Sequence, residues 1–354
     1  MNRHEPQDLK QMQSLPLEAK IRMTQRRIRE WYDYWDGMVY VSFSGGKDST
    51  VLKHLVENTP GVYDVPSVFV NTGLEYPEIQ RFAMSQPNVV TVRPKMRFDQ
   101  VLKKYGYPVA SKEVSQIVRE ARIGLARDDG SYLFRIQKLR GEYRDKNGEL
   151  SSFNKEQWGF LLDAPFAVSE QCCNVMKKKP AKAYEKETGR KAIIGAMATE
   201  SALRKQRWIR YGCNAFGDKK RPTSNPMSFW TEQDVLHYLK KYAVPYCSVY
   251  GDIVSQDEDG NLYDLSQEYL EVLYASGNPT ELTTTGCKRT GCIFCMFGCH
   301  LENEPNRFQM LKETHPRQYE YCIGGGELVD GKWQPNKEGL GLGHVLDYIG
   351  VKYD

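Results

Sequence analysis

Short apolar runs alternate along the chain with longer amphipathic stretches. The pattern predicts a helix over 17–36, which Gly37 ends, and a second helix over 50–56. Runs rich in β-branched and aromatic residues predict strands over 38–43, 67–70, 88–92 and 191–196. Strands and helices that alternate in this way indicate βαβ units. We therefore expect an α/β fold with a mainly parallel sheet and helices on both faces.

Composition divides the chain into three predicted regions. Residues 1–36 form an N-terminal helical segment, and 37–250 form the α/β domain. Within that domain, about 120–160 breaks the strand–helix rhythm and is predicted to be an insertion or a mobile, partly helical flap. From 251 to 354 the chain is acidic and contains a cluster of cysteines, so we expect a C-terminal cysteine-rich region.

The length and overall composition are those of a soluble globular protein. The chain has 354 residues, of which 40% are hydrophobic and 27% charged. It shows no signal peptide and no run of about 18 apolar residues, so we expect a cytoplasmic protein with no membrane partner.

The charge is spread unevenly. The net charge is only +4, but 171–221 carries 14 basic residues against 4 acidic ones. Residues 251–354 carry 8 basic residues against 17 acidic ones. A basic middle segment predicts an anionic ligand, such as a phosphorylated molecule or a nucleic acid.

A glycine-rich loop, Ser44–Thr50 (SGGKDST), lies between a predicted strand and a predicted helix. Its adjacent glycines let the backbone turn sharply and bring N–H groups against a ligand. The following helix points its positive end at the same place, and Lys47 adds a positive charge. The spacing is neither that of a Walker A loop nor G-x-G-x-x-G. We interpret the loop as a phosphate cradle; the alternative is an ordinary strand–helix turn.

This loop resembles the PP-loop of ATP pyrophosphatases and of the phosphoadenylyl-sulfate (PAPS) reductase superfamily. Three further segments are similar to segments of that superfamily in the same order: 70–77 (VNTGLEYP), 195–204 and 226–235. The resemblance covers about 38–300. It implies a Rossmann-like, adenine nucleotide α-hydrolase-like domain that binds an adenine nucleotide, with 195–204 as a second anion-binding stretch.

In an open α/β sheet, ligands bind beyond the carboxyl ends of the strands, where these segments should converge. The candidate nucleotide- and phosphate-binding residues are Ser42, Ser44, Gly45, Gly46, Lys47, Ser49, Thr50, Asn71, Thr72, Gly73, Glu75, Gly195, Arg204 and Arg207. The candidate catalytic residues are Lys47, Asp48 and Ser49, and Mg²⁺ is expected to accompany ATP. For Arg204 and Arg207, the alternative is a solvated basic helix face.

The chain contains nine cysteines, and disulfides are not expected in the cytosol. Cys172 and Cys173 are adjacent, whereas the later group follows the spacing C-x4-C-x2-C-x3-C and consists of Cys287, Cys292, Cys295 and Cys299. Thiolates at this spacing, with glycines between them, predict a metal site. One option is a structural zinc held by the later four. The other is an iron–sulfur cluster on Cys292 and Cys295 with Cys172, Cys173 or Cys287.

The resemblance favours the second option, with Zn²⁺ as the alternative. Adenylyl-sulfate reductases of this superfamily bind a [4Fe–4S] cluster through a Cys-Cys pair and a Cys-x-x-Cys. The candidate ligands are therefore Cys172, Cys173, Cys287, Cys292 and Cys295, with Cys299 a weaker candidate. The three remaining cysteines, Cys213, Cys247 and Cys322, are predicted to be buried apolar residues. The run 177–179, three lysines, either lies over the cluster and an anionic substrate or is a solvated helix face.

Two departures from the family bear on the reaction. Thiol-dependent sulfonucleotide reductases use the cysteine of a Glu-Cys-Gly-x-His tail, and this sequence has no cysteine after Cys322. Its PP-loop is complete, as in enzymes that cleave ATP to AMP and pyrophosphate. We therefore expect an enzyme that couples ATP cleavage to sulfur transfer, with a nucleic-acid or small-molecule acceptor and a protein that donates sulfur or electrons.

Two alternative functions stay open. The first is a PAPS or adenylyl-sulfate reductase that releases sulfite. The second is a non-catalytic nucleotide- and nucleic-acid-binding module with structural zinc. The sequence also leaves open whether the chain forms a homo-oligomer.

Overall fold

The computed structural model describes residues 4–218, 221–257, 259–266 and 280–354. The chain divides into two compact units. The first takes in the chain up to Asn71, Glu75–Arg93 and Ala181–Thr290, and the second takes in Thr72–Leu74, Pro94–Pro180 and Gly291–Asp354. The first unit thus extends to Thr290, and the predicted insertion at 120–160 lies inside the second unit.

Helices and strands follow one another largely as the sequence predicts. The described helices are α1 (Pro6–Gln13), α2 (Leu17–Tyr34), α3 (Lys47–Glu57), α4 (Pro77–Ser85), α5 (Phe98–Tyr105), α6 (Lys112–Arg127), α7 (Leu133–Arg140), α8 (Lys179–Thr188), α9 (Ala202–Tyr211), α10 (Glu232–Lys241), α11 (Arg307–Thr314), α12 (Pro316–Ile323) and α13 (Leu342–Tyr348). The described strands are β1 (Val39–Phe43), β2 (Ser67–Val70), β3 (Val89–Val92), β4 (Lys191–Ile194), β5 (Thr223–Ser224), β6 (Ile253–Gln256), β7 (Leu262–Tyr263), β8 (Leu282–Thr284), β9 (Glu327–Val329) and β10 (Lys332–Gln334). The four predicted strands and the helix at 17–36 are confirmed, and the helix predicted at 50–56 begins earlier, at Lys47.

The first unit is built on a parallel five-stranded sheet in the order β3-β2-β1-β4-β5. The central strand β1 has Val41 opposite Ser67 of β2 on one side and opposite Ile193 of β4 on the other. Because the strands are parallel, the carboxyl ends of β1, β2 and β4 lie at the same edge of the sheet. The predicted α/β architecture is confirmed, and this edge is where its ligand site belongs.

Alternate side chains of β1 pack against helices on the two faces of the sheet. Val41 belongs to the same buried cluster as Ile28 of α2 and Leu52 of α3. On the other face, Tyr40 packs against Tyr184 of α8, with ring centroids 5.2 Å apart. Because both faces of the sheet are buried, the strands appear in the sequence as nearly continuous apolar runs.

The segment 226–235 leads into α10 and packs against α2. Trp230 is fully buried, and its Nε1 donates to the hydroxyl of Thr24 at 2.8 Å. Two residues into α10, the carboxylate of Asp234 lies 2.7 Å from the buried Nζ of Lys20. Through these contacts, Trp230 and Asp234 hold the segment 226–235 against α2.

In the second unit, one arginine side chain links α6 to three backbone carbonyl groups of the segment 161–166. The guanidinium of Arg122 donates to the carbonyl oxygens of Leu161, Ala164 and Phe166 at 2.7, 2.8 and 2.6 Å. Residues 120–160 are partly helical, as predicted, since they include the end of α6, all of α7 and part of a 3-10 helix at Glu156–Leu162.

None of the helices described is both long enough and apolar enough to cross a membrane.

Candidate functional site

The glycine-rich loop leaves β1 and leads directly into α3. Gly45 has φ 74°, and a Cβ there would lie 3.1 Å from the carbonyl oxygen of Ile79, so this position requires glycine. Ser49 Oγ accepts from the backbone N–H of Ser44 at 3.1 Å and donates to the carbonyl of Gly46 at 2.9 Å. The loop is therefore fixed in a shape that presents the amino end of α3 and its positive dipole.

Lys47 is the first residue of α3 and is only 4% exposed. Its Nζ lies 2.8 Å from Oε1 of Glu232 and donates to the carbonyl oxygen of Lys288. The Lys47 backbone N–H donates at 3.2 Å to the hydroxyl of Tyr250, which also bonds Thr290 Oγ1 at 2.6 Å. The ammonium group and the first amide of α3 are thus both held in place by groups from distant parts of the sequence.

A cavity of about 290 Å³ opens beside Lys47. It is lined by Lys47, Asp48, Met197, Thr199, Glu200, Glu232 and Arg289. Arg289 lies 3.6 Å from Glu200, and Arg204 forms an ion pair with the same carboxylate. Charged groups of both signs therefore surround the cavity at the loop.

Asp48 carries an unsatisfied polar atom in the wall of this cavity. Its Oδ1 is buried, and within the described part of the chain it has no hydrogen-bond partner. Burial raises the pKa of Asp48, although the neighbouring Lys47 acts in the opposite direction. Carboxylate oxygens are ligands that Mg²⁺ prefers, so the residues present fit a magnesium ion that arrives with phosphates.

The raised pKa predicts that Asp48→Asn stabilises the nucleotide-free protein. The folded chain binds a proton at Asp48 more tightly than the unfolded chain does. The free energy of unfolding therefore falls as the pH rises from the ordinary pKa of 3.8 to the higher pKa of the folded chain. The variant cannot ionise, and we expect its melting temperature at pH 7 to exceed that of the wild type by about 2 °C. Thermal melts without nucleotide or Mg²⁺ measure this.

The gain should disappear below pH 3.8, where the Asp48 carboxyl is protonated in both the folded and the unfolded chain. A variant that melts lower than the wild type at pH 7 would contradict the burial of an ionised carboxylate at this position.

Three other predicted binding residues lie at the same edge of the sheet. Gly195 follows β4, and a Cβ there would lie 3.1 Å from the backbone oxygen of Asp48, so glycine permits close packing against α3. Ser42 lies in β1 opposite Ile194. Thr50 Oγ1 donates to the carbonyl of Gly46 at 3.0 Å and supports the loop from inside α3.

The segment after β2 is divided between the two units. Asn71 is buried in the first unit, where its side-chain oxygen accepts from Gln80 of α4 at 3.1 Å. Thr72 and Gly73 belong to the second unit, and the chain returns to the first at Glu75. Asn71 is therefore positioned by α4 at the end of β2.

The two predicted arginines differ in their surroundings. Arg204 pairs with Glu200, which lines the cavity at the loop. Arg207 is held by Asp218 at 3.0 Å and by Thr223 Oγ1 at 2.5 Å. Neither arginine is simply a solvated cation on a helix face.

In the second unit, four of the predicted metal ligands line one cavity. They are Cys172, Cys173, Cys292 and Cys295, and Leu74, Phe98, Pro108, Met176, Lys177 and Phe294 complete the wall. The adjacent pair lies at the start of the helical segment that becomes α8, and the other two follow Gly291. Four thiols and several apolar side chains form a sheltered, sulfur-rich pocket.

The electrostatics of this pocket favour a thiolate at Cys173, whereas the hydrogen bond to Cys173 and burial raise the pKa of Cys172. The Cys172 thiol hydrogen-bonds Cys173, and this bond, aided by the charges of Lys112, Lys177 and Lys178, lowers the pKa of Cys173. Burial raises the pKa of Cys295. The three lysines place positive charge beside the cysteine pair, where it would balance the negative charge of a thiolate-bound group.

The four thiols around this cavity are the donor set of a [4Fe–4S] cluster, so the residues present fit such a group. Within the described ranges, no group of three His, Cys, Asp or Glu side chains is arranged to hold a metal ion.

The other two candidate ligands do not line this cavity. Cys287 belongs to the first unit, where its thiol donates to the carbonyl of Arg289 at 2.9 Å. Cys299 is buried in the second unit and donates to the carbonyl of Met296 at 3.0 Å, and burial raises its pKa to about 11. The three cysteines predicted to be buried, Cys213, Cys247 and Cys322, are confirmed as buried.

Sequence reasoning missed several groups around the loop. Glu232, Tyr250, Lys288 and Arg289 all contact or neighbour Lys47 or Asp48, yet they carry no motif of their own. Glu232 lies in the segment 226–235, and Lys288 and Arg289 lie between Cys287 and Cys292, but neither segment marks these residues as neighbours of the loop.

A glycine-rich loop that joins the central strand of a parallel sheet to a helix is the arrangement in which α/β proteins commonly hold phosphate groups. The family model of the phosphoadenosine phosphosulfate reductase domain matches residues 38–120 and 136–296. The chain therefore belongs to the phosphoadenosine phosphosulfate (PAPS) reductase family, as its motifs predicted. The unmatched stretch 121–135 lies within the predicted insertion.

Among solved structures, the chain is similar to the PAPS reductase from Candida auris in its phosphate complex. The identity is 16% and the TM-score 0.34, over 66% of this chain and 91% of that chain. A search of curated proteins finds no match.

Proposed function

We propose that this member of the PAPS reductase family binds ATP with Mg²⁺, cleaves it to AMP and pyrophosphate, and uses the reaction to drive sulfur transfer. The observation that carries the proposal is the complete loop with Lys47 and Asp48 beside one cavity. The unpartnered Oδ1 of Asp48 supports a metal-bound nucleotide, because a carboxylate alone would repel phosphate.

In the proposed reaction, a nucleophilic atom of the acceptor attacks the α-phosphorus of ATP. The bond between the α-phosphorus and the bridging oxygen breaks, and pyrophosphate leaves with the electron pair. Lys47 and the first amides of α3 would stabilise the negative charge that develops on pyrophosphate. A sulfur nucleophile then displaces AMP from the adenylylated acceptor.

For the second unit, we propose that Cys172, Cys173, Cys292 and Cys295 hold a [4Fe–4S] cluster. When bound, such a cluster supplies one-electron chemistry or a site for sulfur. The chain's own contribution would be four thiolates, an apolar wall and the neighbouring positive charge of Lys112, Lys177 and Lys178. The proposal implies a partner protein that supplies sulfur or electrons.

Release of pyrophosphate tests the proposed reaction. Purified protein with Mg²⁺ and ATP is incubated with candidate sulfur acceptors, such as RNA, DNA and small molecules. Pyrophosphate and AMP are then measured. We expect acceptor-dependent release of pyrophosphate, and release of an equal amount of AMP when sulfide is added as the sulfur nucleophile. If the protein neither binds ATP nor releases pyrophosphate with any acceptor, the proposal is wrong.

The second candidate is a sulfonucleotide reductase, which the family membership favours. Sulfite release from PAPS or adenylyl-sulfate, with thioredoxin as reductant, would identify it. Such a mechanism needs a reactive thiolate outside the four-cysteine pocket. Burial raises the pKa of Cys299 and that of Cys322, which makes both poor candidates for this role.

A further inference from the structure

The cavity at the loop carries more negative than positive side chains. Two of the lining residues are basic, Lys47 and Arg289, and three are acidic, Asp48, Glu200 and Glu232. A site built to attract a free polyphosphate would show an excess of positive charge. Because Arg204 also pairs with Glu200, the charges around the cavity nearly balance, and a phosphate chain without a cation meets no excess of positive charge.

Glu232 is the carboxylate that contacts the lysine of the loop. Its Oε1 lies 2.8 Å from Nζ of Lys47, and the lysine side chain is 5% exposed whereas that of Glu232 is 51% exposed. Lys47 is thus fixed, and Glu232 has room to move away from it. Any phosphate oxygen that binds Lys47 must displace this carboxylate or share the ammonium with it.

Local structure explains why Glu232 occupies this place. It is the first residue of α10, directly after Thr231, whose hydroxyl accepts from the backbone N–H of Asp234 at 3.3 Å. A carboxylate in the first turn of a helix is stabilised by the helix dipole. The same turn presents it to Lys47 across the cavity.

We propose that Glu232 is the counter-ion of Lys47 in the nucleotide-free protein and makes the loop select metal-bound polyphosphate over the metal-free form. The inference rests on the proposed function, because it takes the loop as a phosphate site. Without a divalent cation, phosphate competes with Glu232 for Lys47 and is repelled by the remaining carboxylates. A divalent cation on the phosphates removes that repulsion, and Glu232 is released.

Calorimetric titration of the full chain with inorganic pyrophosphate, with and without MgCl₂, tests this role. We expect Glu232→Gln to bind metal-free pyrophosphate about two- to five-fold more tightly than the wild type, as for loss of an ion pair with one exposed partner. In MgCl₂, the two proteins should bind pyrophosphate within about two-fold of each other, because the cation already offsets the carboxylate.

The matched control is Glu57→Gln. Glu57 pairs with Lys53 on the same helix as Lys47, and the two side chains are 44% and 6% exposed, close to the values for Glu232 and Lys47. This variant should bind pyrophosphate as the wild type does under both conditions. A thermal melt of each variant confirms that it is folded.

The outcomes separate the two proposals. If Glu232→Gln fails to tighten metal-free binding, or weakens binding only in MgCl₂ as loss of a metal ligand would, the counter-ion role is wrong while the phosphate site stands. If the wild type binds no pyrophosphate even in MgCl₂, the loop is not a pyrophosphate site, and both proposals fall.

Discussion

Replacement of Lys47 by methionine is expected to lower acceptor-dependent pyrophosphate release at least about 100-fold, as for loss of one preorganised donor at a developing charge. Methionine keeps the apolar length of the side chain but removes the ammonium group. That group lies at the amino end of α3, in the wall of the cavity and 5.3 Å from the ring centre of Tyr250. Its contribution should be greatest when pyrophosphate leaves, so kcat should fall more than KM rises. Steady-state kinetics with ATP measures both.

Lys53→Met is the control for loss of a buried lysine on the same helix. Lys53 is 5% exposed and pairs with Glu57, but it does not line the cavity. We expect this variant to keep pyrophosphate release within about two-fold of the wild type. Equal losses in the two variants would show that Lys47 acts through the stability of α3, and the proposed role in catalysis would be wrong.

Under the proposed cluster, Cys173→Ser and Cys295→Ser are each expected to lose iron. Protein purified without oxygen should contain roughly four iron atoms per chain if the four thiolates hold a cubane cluster. A hydroxyl is a weak iron ligand, so each variant should retain less than about one iron atom per chain. Chemical analysis of iron and sulfide, together with the visible absorption spectrum, measures the loss independently of any activity.

Cys287→Ser and Cys299→Ser are the controls, because both cysteines were candidate ligands from their spacing. Their thiols donate to the carbonyl oxygens of Arg289 and Met296 in the present structure, and a serine hydroxyl can do the same. We expect both variants to keep their iron. Loss of iron from either would add that cysteine to the ligand set, and zinc instead of iron in the wild type would overturn the cluster proposal.

The strands and the phosphate loop were predictable from the sequence because their signals are local. The run at 67–70 became β2 with the same ends, since four consecutive apolar or small residues between Pro66 and Asn71 fit a buried parallel strand. The loop Ser44–Thr50 was equally clear, because strand, glycines, lysine and helix follow one another directly. Packing then confirmed the need for glycine at Gly45.

The partners of Lys47 could not be predicted in the same way. Glu232, Tyr250 and Lys288 reach it through tertiary structure, and nothing in their own neighbourhoods indicates a phosphate site. The cysteines show a related limit. Spacing suggested that Cys287 belongs with Cys292, but the division after Thr290 assigns the two to different units. Spacing in a glycine-rich segment indicates which thiols could line one site. It does not determine which of them line it in the folded protein.

The strand order has a consequence for how the protein is made. β1 pairs with β4, yet roughly 150 residues separate them in the sequence, which a ribosome needs about 10–30 s to synthesise. During that interval one hydrogen-bonding edge of the central strand has no native neighbour on the growing polypeptide. Unpaired edges of apolar strands promote aggregation, so the growing chain is more exposed to it until Lys191–Ile194 has emerged.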